Sequence, residues 1–584
     1  MRQAPAEEFD VVICGGGLAG LLLARQLRRE FPDDSVAVVE RTARPLDDAC
    51  HKVGESSVEV ASQYFESLGL ESYLLDRHLV KLGLRFFPGG GRLPVEERTE
   101  IGPCAEPIVR SYQLDRGRLE EDLRAFVEAD GVRMLEGTRV RAIRLAEEGA
   151  PHEVTIAKDG AERTLLARWV VDATGRAALL RKQLKLTRGS RHAANAGWFR
   201  VEGKLDINDL VPASATEWHE RPCRDDRWRS TNHFMGTGYW AWVIPLSTGH
   251  TSIGLVVHDE EHGFEVVRSL DAVRAFLDEH EPVLARAVRR HRVKDFLCLK
   301  GYSHAVSRAW SKDRWAIVGE AGAFVDPLYS PGSDFIAFAN SFTVEMMRAD
   351  RDGRDLVERA SLLNAQYKSL CAGATDIFRR AAPVYGHGRA MSAKVYWDNF
   401  SYWSFTAQYL RQEIYRLPSS EHAPYGVVGR RFVELSHRMQ ALFRAWAEVR
   451  PEETPERKFM ALPAFPSVLV DTHVALRERW TPEETLASMQ RRVAEAEEIA
   501  VEMVVRVIQE VGPDDARAIL DRVEFERWGL AIPPERLDAE RLRGLTRRHR
   551  LSPIARDVER SLGHPIRHER GPEALDLLAQ GSAA

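Results

Sequence analysis

Cysteine is scarce in this 584-residue chain. The six cysteines, at 14, 50, 104, 223, 298 and 371, are scattered and never form a C-x-x-C pair. That pattern excludes a disulfide framework and fits reduced thiols in a cytoplasm. With no H-E-x-x-H and no clustered His/Cys spacing, no metal site is expected. Long hydrophobic runs are missing too. The longest, Val11 to Ala24, is too short to span a bilayer and is broken by glycines. The opening "MRQAPAEEFD" lacks the apolar stretch of a secretory signal. Charge of one sign is also absent: 82 Lys and Arg stand against 87 Asp and Glu, for a net charge of -5. No basic field therefore points to nucleic acid or an anionic membrane. Internal repeats and low-complexity tracts are absent. What remains is a chain 44% hydrophobic and 29% charged, long enough for a large core in several domains. The expectation is a cytoplasmic enzyme.

The positive signal begins with "FDVVICGGGLAGLLLARQL". Phe9 to Cys14 is a short apolar run that predicts a buried parallel strand. Gly15, Gly17 and Gly20 then spell G-x-G-x-x-G, and Leu21 to Leu27 carry helical apolar spacing. Gly15 permits a tight turn, Gly17 lets a pyrophosphate approach the backbone, and Gly20 lets helix and strand pack closely. The helix N-terminus then faces the phosphates. A second strand, "SVAVVE", ends at Glu40, whose carboxylate can accept hydrogen bonds from ribose hydroxyls. Strand, turn, helix and acid together predict a dinucleotide site.

The chain does not continue as a compact nicotinamide-type βαβαβ unit. It passes to "HKVGESSVEVASQYFESLGL", "SYQLDRGRLEEDLRAFV", "RWVVDATGR" and later "RWAIVGEAGAFVDP". This succession resembles the FAD-dependent monooxygenase superfamily. The resemblance implies that Asp172, Ala173, Thr174 and Gly175 form a second turn near FAD. It puts Gly319 and Glu320 in the place of a Gly-Asp pair whose acid bonds the ribityl hydroxyls. Glu320 reaches one methylene further than the usual aspartate. "GGG" at 89–91 leads into no helix and reads as a hairpin turn.

Three further motifs narrow the chemistry. Trp240-Ala241-Trp242-Val243-Ile244-Pro245 is W-x-W-x-I-P, also a good strand, with "SIGLVV" as a hairpin partner. Gly54, Glu55 and Ser56 form G-E-S, followed by Lys81 in "KLGLRF". "FVDPLYSPGSDF" carries F-x-x-P-x-x-S-x-G at Phe324, Pro327, Ser330 and Gly332. In this order, over roughly residues 9–345, the motifs resemble those of the flavin-dependent halogenases. The resemblance implies that reduced FAD, delivered by a separate flavin reductase, works with oxygen and halide to make hypohalous acid. Lys81 would then pass electrophilic halogen to an electron-rich aromatic substrate, free or tethered to a carrier protein. Gly54, Glu55 and Ser56 would lie beside the flavin, Ser330 and Gly332 at the halide, and Trp240 and Trp242 between flavin and substrate. Without the resemblance, Lys81 reads as an ordinary solvated lysine.

Two letters depart from the family pattern. Tyr329 stands where tryptophan-type halogenases have a glutamate, which points away from free tryptophan and toward a phenol or pyrrole. Pro331 has no N–H where the family's backbone holds halide. This supports an alternative, a halogenase-like monooxygenase or oxidase that does not use halide. Ser330 as N-cap, Pro331 at N1 and Asp334 in the first turn read as a helix start.

The predicted architecture is α/β. A Rossmann-like FAD-binding fold over 1–345 carries an inserted mixed-sheet substrate region at about 85–150 and 185–310. A mainly helical domain, 346–584, follows. Tyr396, Phe400 and Trp403 share a helix face and read as core, with a substrate lid as the rival; His387 reads as structural. "RLRGLTRRHR" at 541–550 is a basic helix face or a dock for an acidic carrier.

Overall fold

The computed structural model describes residues 7–46, 52–147, 149–221, 224–449, 451, 459–461, 467–511, 513–530 and 552–562. The first apolar run forms the strand Glu7–Cys14, whose last four residues are buried between two parallel neighbours. One neighbour is Val36–Val39; the other is the long strand Ala161–Asp172. The far end of that long strand pairs in parallel with Trp315–Ile317, and its near end pairs antiparallel with His152–Lys158. Arg133–Leu135 and Arg139–Arg144 complete a seven-stranded sheet. The helix Leu18–Glu30 lays Leu21, Leu22, Leu23 and Leu27 onto the core and places Arg28 and Arg29 in its last turn, where cations suit the dipole.

Register decides where a site can form. Cys14 pairs with Val39 and with Asp172, and Asp172 pairs with Ile317. The carboxyl ends of four strands from distant parts of the chain therefore stop at one edge. The turns after them begin at Gly15, Glu40, Ala173 and Val318, in the crevice where open α/β sheets take ligands.

A second sheet runs Val293–Leu299, Ala194–Glu202, His250–His258, Tyr239–Pro245, Thr231–Gly236, Leu84–Phe87, Glu100–Gly102, Phe459–Ala461. Tyr239–Pro245 alternates between two cores. Trp240, Trp242 and Ile244 join the main core, while Tyr239, Ala241 and Val243 face a second one. Its hairpin partner is His250–His258, as expected, with Trp242 opposite Gly254. A methyl on Gly254 would overlap the Trp242 indole. Gly254→Ala is expected to cost about 1–3 kcal/mol by overpacking, read as a lower thermal midpoint; an unchanged midpoint would contradict this packing.

The expected partition needs two corrections. Arg133–Leu135 and Arg139–Arg144 belong to the first sheet, not the substrate region, because they find their pairing partners there. The helical region also contributes one strand, Phe459–Ala461, which extends the second sheet beside Glu100–Gly102. Otherwise the described part of the C-terminal region is mainly helical, with long helices at Gly332–Arg351, Leu356–Phe378, Gly388–Ser401, Ala423–Val449 and Pro482–Glu510. Tyr396, Phe400 and Trp403 are core residues, Trp403 from within a π-helical turn, Tyr402–Thr406. His387 caps the helix Gly388–Ser401 through its side chain. Among the described residues no helix is long and apolar enough to cross a membrane, and Cys14, Cys104, Cys298 and Cys371 form no disulfide. The basic stretch 541–550 lies outside the described residues.

Candidate functional site

Gly15 adopts φ +118°, and a methyl there would overlap the Ala173 carbonyl. A methyl on Gly20 would overlap the Gly15 carbonyl. Gly17, by contrast, has no atom within 4 Å of an added Cβ. Gly15 and Gly20 thus meet protein, while Gly17 faces open space, as a pyrophosphate cradle requires. Glu40 is held just beyond: its carboxylate accepts from the Gly16 N–H (2.8 Å) and the Thr42 N–H (2.8 Å).

These residues open one end of a cavity of about 1000 Å³. It runs past Thr174, Gly175, Gly319 and Glu320, then along Gly54, Glu55 and Ser56. It ends among Trp240, Trp242, Phe324, Pro327, Ser330 and Gly332. Burial pushes the Glu320 carboxyl up against the pull of Arg116, Arg176 and Lys52. Burial also pushes Glu55 up, to about 7, against the Ser252 hydroxyl and Arg200. The two indoles sit 5.7 Å apart between ring centroids. The Trp242 N–H donates to Ser252, whereas the buried Trp240 N–H has no protein partner.

Asp172 stands in the expected turn, with its carboxylate committed to the turn itself. Its Oδ1 accepts from the Thr174 N–H (3.0 Å) and hydroxyl (2.6 Å), and its Oδ2 from the Leu180 N–H (2.7 Å). It braces its own turn and does not line the cavity. Arg116 and Glu120, not singled out above, do line it. They pair at 2.6 Å, and Lys52 also pairs with Glu120. Their signal lay within "LDRGRLEEDL", but nothing local marks which charges of an amphipathic helix turn inward.

Lys81 is completely buried. Its ammonium donates to Ser56 Oγ (2.8 Å) and to the Ser57 carbonyl (2.8 Å). Ser56 Oγ also accepts from Ser330 Oγ (3.1 Å) and lies 2.9 Å from Thr231 Oγ1. Two lone pairs and one hydrogen account for all three contacts. One hydroxyl thus joins Lys81 to the cavity wall. Burial lowers the lysine to about 7, with Glu59 and Asp334 pulling it back up.

Ser330 is not the N-cap. It sits in the left-handed region at φ +57°, with its side chain committed to Ser56. Pro331 is the N-cap of Gly332–Arg351, its carbonyl accepting the first helical bond from Phe335 N–H (3.0 Å). Asp334 is in the first turn, but its carboxylate reaches across, accepting from the Ala61 N–H (2.9 Å) and the Tyr402 hydroxyl (2.7 Å).

Residues 8–296 match the family described as FAD binding domain. The flavin-dependent halogenase chlA of Dictyostelium discoideum is 27% identical over 68% of this chain and 70% of its own length. A 1H-pyrrole-2-carbonyl peptidyl-carrier-protein brominase of Pseudoalteromonas luteoviolacea is 22% identical over 60% of this chain and 79% of its own length. The crystal structure of halogenase PltM shares the fold, with a TM-score of 0.59 at 16% identity over 84% of this chain and 96% of that one. The chain is thus similar in sequence and fold to flavin-dependent halogenases. It is an FAD-dependent enzyme, and FAD is its cofactor.

Tyr329, by contrast, is turned away from the cavity. Its hydroxyl donates to Asp398 Oδ2 (2.8 Å), and its ring packs between Phe86 and Phe378. Behind the same motif the fold gathers three buried residues with no sequence signature: His192, His258 and Asp326. Asp326 Oδ2 lies 2.8 Å from His192 Nε2 and accepts from the Tyr302 hydroxyl (2.9 Å), while Oδ1 accepts from the Leu328 N–H (3.0 Å). Asp326, which also lines the cavity, anchors the "FVDPLYS" bend through these bonds, while His258 Nε2 makes none.

Proposed function

We propose that this protein halogenates an electron-rich aromatic ring of the phenol or pyrrole type. It would use reduced FAD, oxygen and halide, with Lys81 delivering the halogen of hypohalous acid. The observation that carries the reading is the hydrogen-bonded line from Ser330 at the cavity wall through Ser56 to a buried ammonium. FAD, when bound, supplies the activation of oxygen. The protein's own contributions follow from its residues. The helix start at Gly332 presents free N–H groups to developing negative charge. Trp240 and Trp242 keep water and substrate from the flavin end. Ser56 fixes the direction of the Lys81 N–H.

The substrate class rests on Tyr329, which offers no carboxylate, and on the relatives. One is a brominase of a carrier-bound pyrrole, and PltM has been crystallised with phloroglucinol, a phenol. A separate reductase and a carrier-tethered substrate belong to the same proposal. Incubation with reduced FAD, oxygen, chloride or bromide and a panel of phenols and pyrroles should give products with halogen isotope patterns by mass spectrometry. Oxygenated products alone, unaffected by Lys81→Ala, would overturn it.

Pro331 favours a second reading, a related monooxygenase that does not use halide. The missing N–H removes one charge-assisted donor, worth about 1.5–3 kcal/mol. If halide is held at this helix start, Pro331→Ser should lower the half-saturating halide concentration by about one order of magnitude. No change would show that the site is not used for halide.

A further inference from the structure

Lys81 has a side facing away from the flavin cavity. There it meets the start of the helix Glu59–Ser67, and Glu59 and Asp334 are the carboxylates that act on it. Glu59 Oε1 lies 3.4 Å from Nε2 of His473, which comes from the helix Ser467–Val474. His473 is 1% exposed and stacks face to face on Trp403, with ring centroids 4.6 Å apart. With Nε2 facing Glu59, the other ring nitrogen, Nδ1, makes no hydrogen bond, and neither does Trp403 Nε1 or Ser404 Oγ, all of them buried. Buried polar atoms without partners are rare. Several beside one carboxylate and one buried lysine mark a place where a ligand supplies the partners. Trp403 and Ser404 belong to the π-helical turn Tyr402–Thr406, an irregularity frequent at functional sites. The turn is pinned by the Tyr402 hydroxyl, which donates to Asp334 and accepts from the Val60 N–H (3.1 Å).

We infer that this is the substrate side of the lysine, and that His473, oriented by Glu59, is the general base for a phenolic hydroxyl. The inference rests on the halogenation reading and narrows its substrate class to phenols. Glu59 faces Nε2, which fixes a hydrogen there and leaves the Nδ1 lone pair open. Glu59 is the titratable group that faces the imidazole, and Lys81, Asp334 and Tyr402 interact in turn with Glu59 or with one another.

The phenol O–H proton moves to His473 Nδ1. The ring carbon, now electron-rich, bonds the halogen of hypohalous acid; the oxygen–halogen bond breaks, and hydroxide leaves as water with a proton from Lys81. The halogenated ring then loses its C–H proton to the Lys81 amine, and the oxygen regains its proton from His473. This supplies the acid–base function that Tyr329, locked to Asp398, cannot.

The test uses the FAD-loaded enzyme and the variants His473→Gln and Glu59→Gln, with flavin absorbance reporting intact cofactor binding. Against a phenol and its methyl ether, His473→Gln should lower halogenation of the phenol by about a hundredfold and spare the ether, whereas Glu59→Gln, which also removes a charge that holds the Lys81 ammonium, should lower both and the phenol more. Independently of halide, 4-nitrophenol should bind the wild type as phenolate at a pH where the free phenol is protonated. His473→Gln should lose that absorbance band. Equal losses on phenol and ether, or a phenolate band retained in the variant, would overturn the assignment. If the wild type forms no halogenated product, the halogenation reading fails, while the nitrophenol band still decides the role of His473.

Discussion

Replacing Lys81 by alanine is expected to lower halogenated product by about three orders of magnitude, the upper range for removing a preorganised charged donor. Flavin binding and reoxidation should persist, because Lys81 does not line the cavity; it meets the wall only through Ser56. Stability should not fall in proportion. A lysine buried at 0% exposure costs desolvation that its two hydrogen bonds only partly offset. Lys81→Met, which keeps the volume and loses the charge, should be equally inactive and no less stable. Lys81→Arg should not rescue, since a planar guanidinium does not fit a site shaped for a compact ammonium.

The pH dependence has a definite sign. Burial lowers Lys81 to about 7, so the ammonium is complete below that value and is lost as pH rises through it. Lys81-dependent halogenation measured in single turnovers should therefore fall about tenfold per unit above that point. A profile flat for about two units beyond it would show that the ammonium is not the active form.

Gly15→Ala is expected to empty the enzyme of FAD. The φ of +118° already disfavours any side chain, and the methyl would overlap the Ala173 carbonyl. The turn has no room to yield: Gly15 N–H donates to the Val39 carbonyl (2.9 Å), and Ala173 N–H donates to the Cys14 carbonyl (2.9 Å). Three strand ends would have to part. FAD affinity should drop at least about a hundredfold, read from the flavin-to-protein absorbance ratio, with a lower thermal midpoint in the FAD-free protein. Gly17→Ala provides the contrast. Its methyl meets no protein atom, so it should weaken FAD binding without moving the midpoint of the FAD-free protein. Equal midpoint losses in both would refute this division of labour.

Much of the nucleotide end was legible because its requirements are local. A strand, three glycines, a helix and an acid each answer to neighbouring residues, and the structure forms the strand, the tight Gly15 turn, the helix and the Glu40 bond to Gly16 N–H. W-x-W-x-I-P formed its strand and its hairpin for the same reason. Legibility ended where a side chain's direction depends on distant partners. Asp172 turned to its own loop, Ser330 left the cap position for Ser56, and Tyr329 turned to Asp398. Arg133–Leu135 joined the sheet that offered it a parallel edge.

The sequence by itself determined the dinucleotide turn, the order of the flavin motifs, and the two letters, Tyr329 and Pro331, that set this chain apart. These are properties of bonded neighbours: φ, a missing N–H, an alternating pattern. Only the tertiary structure decided that Lys81 is dry, that one hydroxyl couples it to the cavity, and that Glu59, His473 and Trp403 meet on its far side. Burial and charge pairing belong to the contacts between segments. Here sheet register and helix packing bring those segments together from opposite ends of the chain.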